Sequence, residues 1–118
     1  MRVLLVGLVG LVGLVGCRVR ACENACDKLY AEAECNIQRP GRTPDELLDT
    51  CMMYCQDAWI ASCDGEASCG VGDYNPYSNE GSSSSVVLEN QAQAELWQEC
   101  IAEQSCDKIY DGYCAPVW

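Results

Sequence analysis

Residues 22–55 read CENACDKLYAEAECNIQRPGRTPDELLDTCMMYC, and four of the cysteines in this stretch decide the fold. Cys22 and Cys26 stand four apart, as do Cys51 and Cys55. On a helix, residues four apart share a face and point the same way, so each pair suits a facing helix better than itself. In an antiparallel hairpin, positions that face each other have a constant sum of residue numbers. The numbers 22 and 55 have the same sum as 26 and 51, and the implied centre lies between Gln38 and Arg39. Pro40-Gly41, a turn signal in its own right, stands beside that centre. The expected bonds are therefore Cys22 with Cys55 and Cys26 with Cys51. Each is worth ~3 kcal/mol through restriction of the unfolded chain.

The flanking residues agree with a hairpin. Residues 22–36 carry Cys22, Cys26, Leu29, Tyr30 and Ala33 on one stripe at helical spacing. Thr43-Pro44-Asp45-Glu46 is a restart signal: Thr43 as N-cap, Pro44 at the first helical position, Glu46 completing a capping box. From Pro44 to about Cys63, Leu47, Leu48, Cys51, Met52, Cys55, Ala58 and Trp59 form an apolar face, and Asp64-Gly65 ends it. Residues 70–85, GVGDYNPYSNEGSSSS, have no periodicity and read as a loop. A third helix is expected from near Val86, capped by Ser84 or Ser85, with Leu96, Trp97, Cys100 and Ile101 turned inward. A last turn, Asp107 to Asp111, stops at Gly112.

This layout resembles the twin-CX3C helical hairpin of small mitochondrial import chaperones and plant hairpin peptides. The resemblance covers about residues 22–55 and implies geometry, not function. Six further cysteines, Cys35, Cys63, Cys69, Cys100, Cys106 and Cys114, allow fifteen pairings among which sequence does not choose. Cys35 would face Arg42 across the hairpin, so it must reach beyond it. A bond from Cys35 to the third helix would tie the two halves together. Cys26-Asp27-Lys28-Leu29-Tyr30 is echoed by Cys106-Asp107-Lys108-Ile109-Tyr110.

Eleven cysteines and no histidine in 118 residues point outside the reducing cytosol, where disulfides persist. The net charge is −11. Such a surface repels phosphate backbones, so no nucleic-acid partner is expected. It also repels anionic headgroups, and would attract cations or a basic protein. Its plainest role is solubility.

The first seventeen residues, MRVLLVGLVGLVGLVGC, place Arg2 before an apolar stretch from Val3 to Val15. This is signal-length and short of the ~20 residues that span a bilayer. Leu14-Val15-Gly16-Cys17 resembles the lipobox of bacterial lipoproteins, with all four positions fitting. The resemblance implies cleavage before Cys17, a diacylglycerol on its thiol and a further palmitate-type acyl chain on its new amino group. Two features of the residues agree. Leu14 sits where an ordinary signal-peptidase site wants a small residue. Committing Cys17 to lipid also leaves ten cysteines, an even number. Arg18, where the enterobacterial family uses Asp to retain proteins at the inner membrane, implies the outer membrane if the host is Gram-negative. Only Arg18 to Ala21 separate the lipid from Cys22, a reach of roughly 14 Å.

Catalytic chemistry finds little support. No histidine means no His-based triad, acid–base pair or metal ligand. No Cys-x-x-Cys and no phosphate-binding glycine loop occur. Calcium loops are not formed by Asp64-Gly65-Glu66 or by Asp73-x-Asn75, which read as turns. No cofactor, resident metal or catalytic residue is expected. Trp59 and Trp97 read as core, and Trp118 as packed back or set at an interface.

The expected organisation is a lipoprotein signal peptide at 1–16, a lipid-anchored tether at 17–21, a stapled hairpin at 22–69, a Gly/Ser/Asn-rich loop at 70–85, and a third helix with a Cys-rich turn at 86–118. The fold class is all-α. The leading functional expectation is a non-enzymatic, extracytoplasmic lipoprotein of the bacterial cell envelope, held to the membrane at Cys17 and acting by structure or by binding an unidentified protein or cation. Two other classes stay open. A thiolate metal-handling protein would show four or more free thiols. A carboxylate hydrolase would need paired acids across a cleft.

Overall fold

A computed structural model describes residues 20–61, 69–79 and 86–118. Four helices lie within them: α1 at 20–30, α2 (Pro44–Ile60), α3 (Gln91–Glu103) and α4 (Cys106–Tyr110). No strand occurs among the described residues, and no helix there is long and apolar enough to cross a membrane.

Helices α1 and α2 form the antiparallel hairpin. On α1, Cys22, Ala25, Cys26, Leu29 and Tyr30 are buried. On α2, Leu47, Cys51, Cys55 and Ala58 face them, with Leu48, Met52 and Trp59 packed at the edge. The start of α2 is built as its sequence specifies. Thr43 Oγ1 accepts from the Glu46 N–H at 3.2 Å, and Pro44 opens the helix. The Glu46 carboxylate turns outward to Arg42 at 3.4 Å, an exposed pair of small energetic weight.

The first helix stops at Tyr30, well short of the expected Asn36, and Ala33 is exposed rather than part of the stripe. The connecting loop itself ends the helix. The N–H groups of Cys35 and Ile37 fold back and donate to the carbonyls of Lys28 and Leu29, each at 2.9 Å. Those carbonyls would otherwise lack partners at a helix end. Asn36 takes a left-handed φ of 49° to make the reversal. Had the helix continued, Cys35 would sit about 180° around it from Cys26, pointing away from the core. The turn brings Cys35 inside.

The third helix starts at Gln91, not near Val86. Asn90 is its cap: its Oδ1 accepts from the Gln93 N–H at 2.9 Å, and Gln93 Oε1 accepts from the Glu89 N–H at 2.9 Å. The expected caps Ser84 and Ser85 lie outside the described residues. Residues 86–89 have no regular structure and lead into the cap. Trp97, Cys100 and Ile101 are fully buried against the hairpin, while Leu96 is only half-buried. The second helix ends at Ile60 with Ala61 extended, short of Cys63. Cys63 and Asp64-Gly65 fall outside the described residues.

Candidate functional site

The site has two layers: a covalent and hydrogen-bonded frame, and the surfaces it holds in place. Cys22–Cys55 and Cys26–Cys51 cross-link the hairpin, each with 5.8 Å between Cα atoms. Cys35 bonds to Cys106, the first residue of α4, and Cys100 on α3 bonds to Cys114. The first of these links hairpin to C-terminal half across 71 residues of chain. The second ties α3 to the final segment. Cys69 is half-buried and in no disulfide, contrary to the expectation from an even cysteine count; Cys35, Cys100, Cys106 and Cys114 are already engaged with one another. Its remaining candidate partner, Cys63, lies outside the described residues, as does Cys17.

The final segment is clamped by side chains from the rest of the chain. Tyr74 donates to the carbonyl of Ala115, Trp97 Nε1 to that of Pro116 at 2.9 Å, Arg39 to that of Val117 at 3.3 Å, and Tyr30 to that of Trp118 at 2.7 Å. The Cys114 N–H donates to the Pro76 carbonyl at 2.6 Å. Burial first, against the pull of Arg39, the bond to Trp118 and Arg42, pushes the Tyr30 hydroxyl up to about 12. Burial, with Tyr77 beside it, raises that of Tyr74 too. Both hydroxyls are thereby held as donors. Trp118 packs back on the core, stacked on Tyr54 at 5.1 Å and edge-on to Trp97 at 5.6 Å. Trp97 has the core place expected of it.

Lys28 joins α1 to α3. Its ammonium donates to the carbonyls of Ile101, Ala102 and Gln104, at 3.2 Å for Ala102 and 2.7 Å for Gln104. These are the end carbonyls of α3, which lack helical partners and carry the negative end of the helix dipole. Beside Lys28, α1 and α3 part to leave an open groove of about 340 Å³. Ala21, Ala25, Ile101 and Ala102 contribute an apolar lining, and Asn24, Glu95 and Glu99 carry polar groups. Gln98, also on the wall, donates through its amide to the Cys55 sulfur at 3.2 Å. The groove offers a small apolar contact with an acidic rim, and the one amine on its wall, that of Lys28, is engaged by the end carbonyls of α3.

Two other clefts differ in lining, the first polar and the second mainly apolar with acids at its edge. One of about 350 Å³ lies by the α3 cap, between Gly72-Asp73-Tyr74 and Val86-Val87. Asn90 Nδ2 holds its wall by donating to the Gly70 carbonyl at 2.9 Å. The other, about 170 Å³, is edged by Asp27, Glu32 and Asp45, all exposed. A carboxylate general acid wants a drier setting than theirs. Asn75, half of one calcium candidate, spends its Oδ1 on the Tyr77 N–H at 3.1 Å, which closes a turn. Asp64-Gly65-Glu66 is outside the described residues. No cluster of three metal-ligating side chains occurs among the described residues.

The end of the hairpin where α1 begins and α2 finishes is different in kind. Ile60 is 72 % exposed. Trp59 is half-buried, and its indole N–H is shielded from water with no hydrogen-bond acceptor. A shielded donor left unpaired costs about 1–3 kcal/mol.

Several frame residues are invisible to a reading of cysteines and apolar stripes. Lys28, Arg39 and Tyr74 act through contacts far along the chain, for which the sequence holds no local signal. Asn90-x-x-Gln93 is a capping pattern that the sequence does display. No known family, curated protein or solved structure matches the chain.

Proposed function

We propose that this protein is a membrane-anchored extracytoplasmic lipoprotein of the bacterial envelope. Its stapled helical body presents a rigid binding surface and performs no chemistry of its own. The observation that carries this reading is the oxidised frame: eight cysteines paired as four disulfides on a chain whose next cysteine upstream, Cys17, ends a lipobox-like sequence. Disulfides of this number belong to an oxidising compartment. The acyl chains at Cys17 each add about 0.8 kcal/mol per buried CH₂, enough together for stable anchoring. The apolar groove between α1 and α3 favours binding over a purely structural role, and its acidic rim fits a basic or neutral partner.

Sulfurs joined to each other are not thiolate ligands, which weighs against the metal-handling alternative. That reading keeps only Cys69 among the described cysteines. The test is the intact mass of protein purified from membranes, with and without reductant. A lipid-sized addition on the peptide beginning at Cys17 is expected, together with reductant-sensitive bonds. A protein with a bare Cys17, or with most thiols free, would overturn the proposal.

A further inference from the structure

The disulfide register says which end of the body meets the membrane. Cys22, bonded to Cys55, lies at the same end of the hairpin as Ile60, and it is the first cysteine after Cys17. Four residues separate Cys22 from Cys17, and four separate Cys55 from Ile60. From Cys55, α2 rises about 7.5 Å to Ile60 at the helical repeat. From Cys22, the four-residue tether to Cys17 reaches roughly 14 Å when fully extended. A lipid on Cys17 therefore leaves the tip of α2 within reach of the headgroup layer.

That tip has the composition of a surface made for such a layer. Ile60 is the most exposed large apolar side chain among the described residues, at 72 %. Trp59 beside it has an apolar body and a polar tip, the kind of side chain that partitions to interfaces. Its indole N–H is the only buried side-chain donor without an acceptor among the described residues. Arg18 and Arg20 flank the same end in sequence. Acidic residues are near this end too: Asp57 stands one turn back from the tip, and Asp64 and Glu66 follow Ile60 in sequence.

We infer that Trp59 and Ile60 are seated in the interfacial layer of the bilayer that holds the Cys17 lipid, so that the hairpin stands end-on and the α1–α3 groove opens beside the membrane surface. This inference rests on the lipoprotein reading. The partner is a zwitterionic lipid surface, since the acidic body repels anionic headgroups.

The test reconstitutes the acylated protein, purified from membranes, into phosphatidylcholine vesicles with brominated acyl chains, and compares tryptophan emission with that in unbrominated vesicles. Bromine is expected to quench the emission. Trp59→Phe should remove most of that quenching, and Ile60→Asp should reduce it while the protein still floats with the vesicles. Ile60 is exposed, so the variant should keep the wild-type disulfide map, which peptide mapping checks. Vesicle-bound protein without quenching would overturn the inference and leave the lipoprotein reading intact, as would quenching that survives Trp59→Phe. Protein that carries no lipid and does not float would overturn both.

Discussion

Removing the Cys35–Cys106 bond should cost more than removing any other single staple. The two cysteines are 71 residues apart in sequence. The remaining bonds shorten that loop little, because the best detour, through Cys22–Cys55, still closes roughly 65 residues, for which chain entropy gives ~4.3 kcal/mol. The inner bond of the hairpin differs. With Cys22–Cys55 intact, Cys26–Cys51 closes only a small ring through the two helices, about eight residues in effect, for ~2.5 kcal/mol. The perturbation is Cys35→Ala with Cys106→Ala, against Cys26→Ala with Cys51→Ala. Both are made in protein whose residues 1–17 are replaced by an ordinary cleavable signal peptide, so that it is exported without lipid. Urea unfolding of the oxidised proteins supplies the free energies. Cys26 and Cys51 are fully buried, so cavity formation adds to the inner pair's loss and narrows the gap. The long-range pair should still cost ~4 kcal/mol. A loss below about 1.5 kcal/mol would refute the reasoning. It would show that the clamp on residues 115–118 and the packing of α3 already restrict the unfolded or native ensemble as the bond does.

The other predictions concern the hydrogen-bonded frame. Lys28→Met should lower stability by about 1–2 kcal/mol in thermal or urea unfolding, by stripping the last turn of α3 of its cation; an unchanged midpoint would refute the cap. Asn90→Ala should cost about 2 kcal/mol, since Asn90 both caps α3 and ties it to Gly70. A loss no greater than that of an exposed helical position such as Gln91→Ala would contradict this. Tyr30 ionises in the unfolded chain near 10 and in the folded protein at about 12. Its stabilising contribution is therefore full below pH 10 and is lost as pH rises toward 12, a fall of about 2–3 kcal/mol for a shift of this size. Brief unfolding measurements on the alkaline side should show that slope, flattened in Tyr30→Phe.

The hairpin was legible in sequence because its information is local and periodic. Four cysteines at helical spacing, a turn signal at their midpoint and the Thr43-Pro44 start all describe contacts between elements joined by one short loop. The apolar face of α2 follows from the same periodicity. Ala33 shows the limit. Helical pattern persists to Asn36, but the backbone of Cys35 and Ile37 offers the last carbonyls better partners than another turn would. At α3 the serines before Val86 are a false start signal, and Asn90-x-x-Gln93 is the one the helix uses.

By itself, then, the amino-acid order determined an all-α, oxidised body with its first two staples, since spacing along a helix fixes direction and a hairpin fixes register. Only the tertiary structure decided that Cys35 joins Cys106, that Cys100 joins Cys114, and that Lys28 caps a helix some seventy residues away. It also decided that four side chains from the rest of the chain hold Ala115 to Trp118. The physical reason is the same in each case. These contacts are chosen by burial and by backbone groups needing partners once the helices have packed, and no spacing in the chain encodes them.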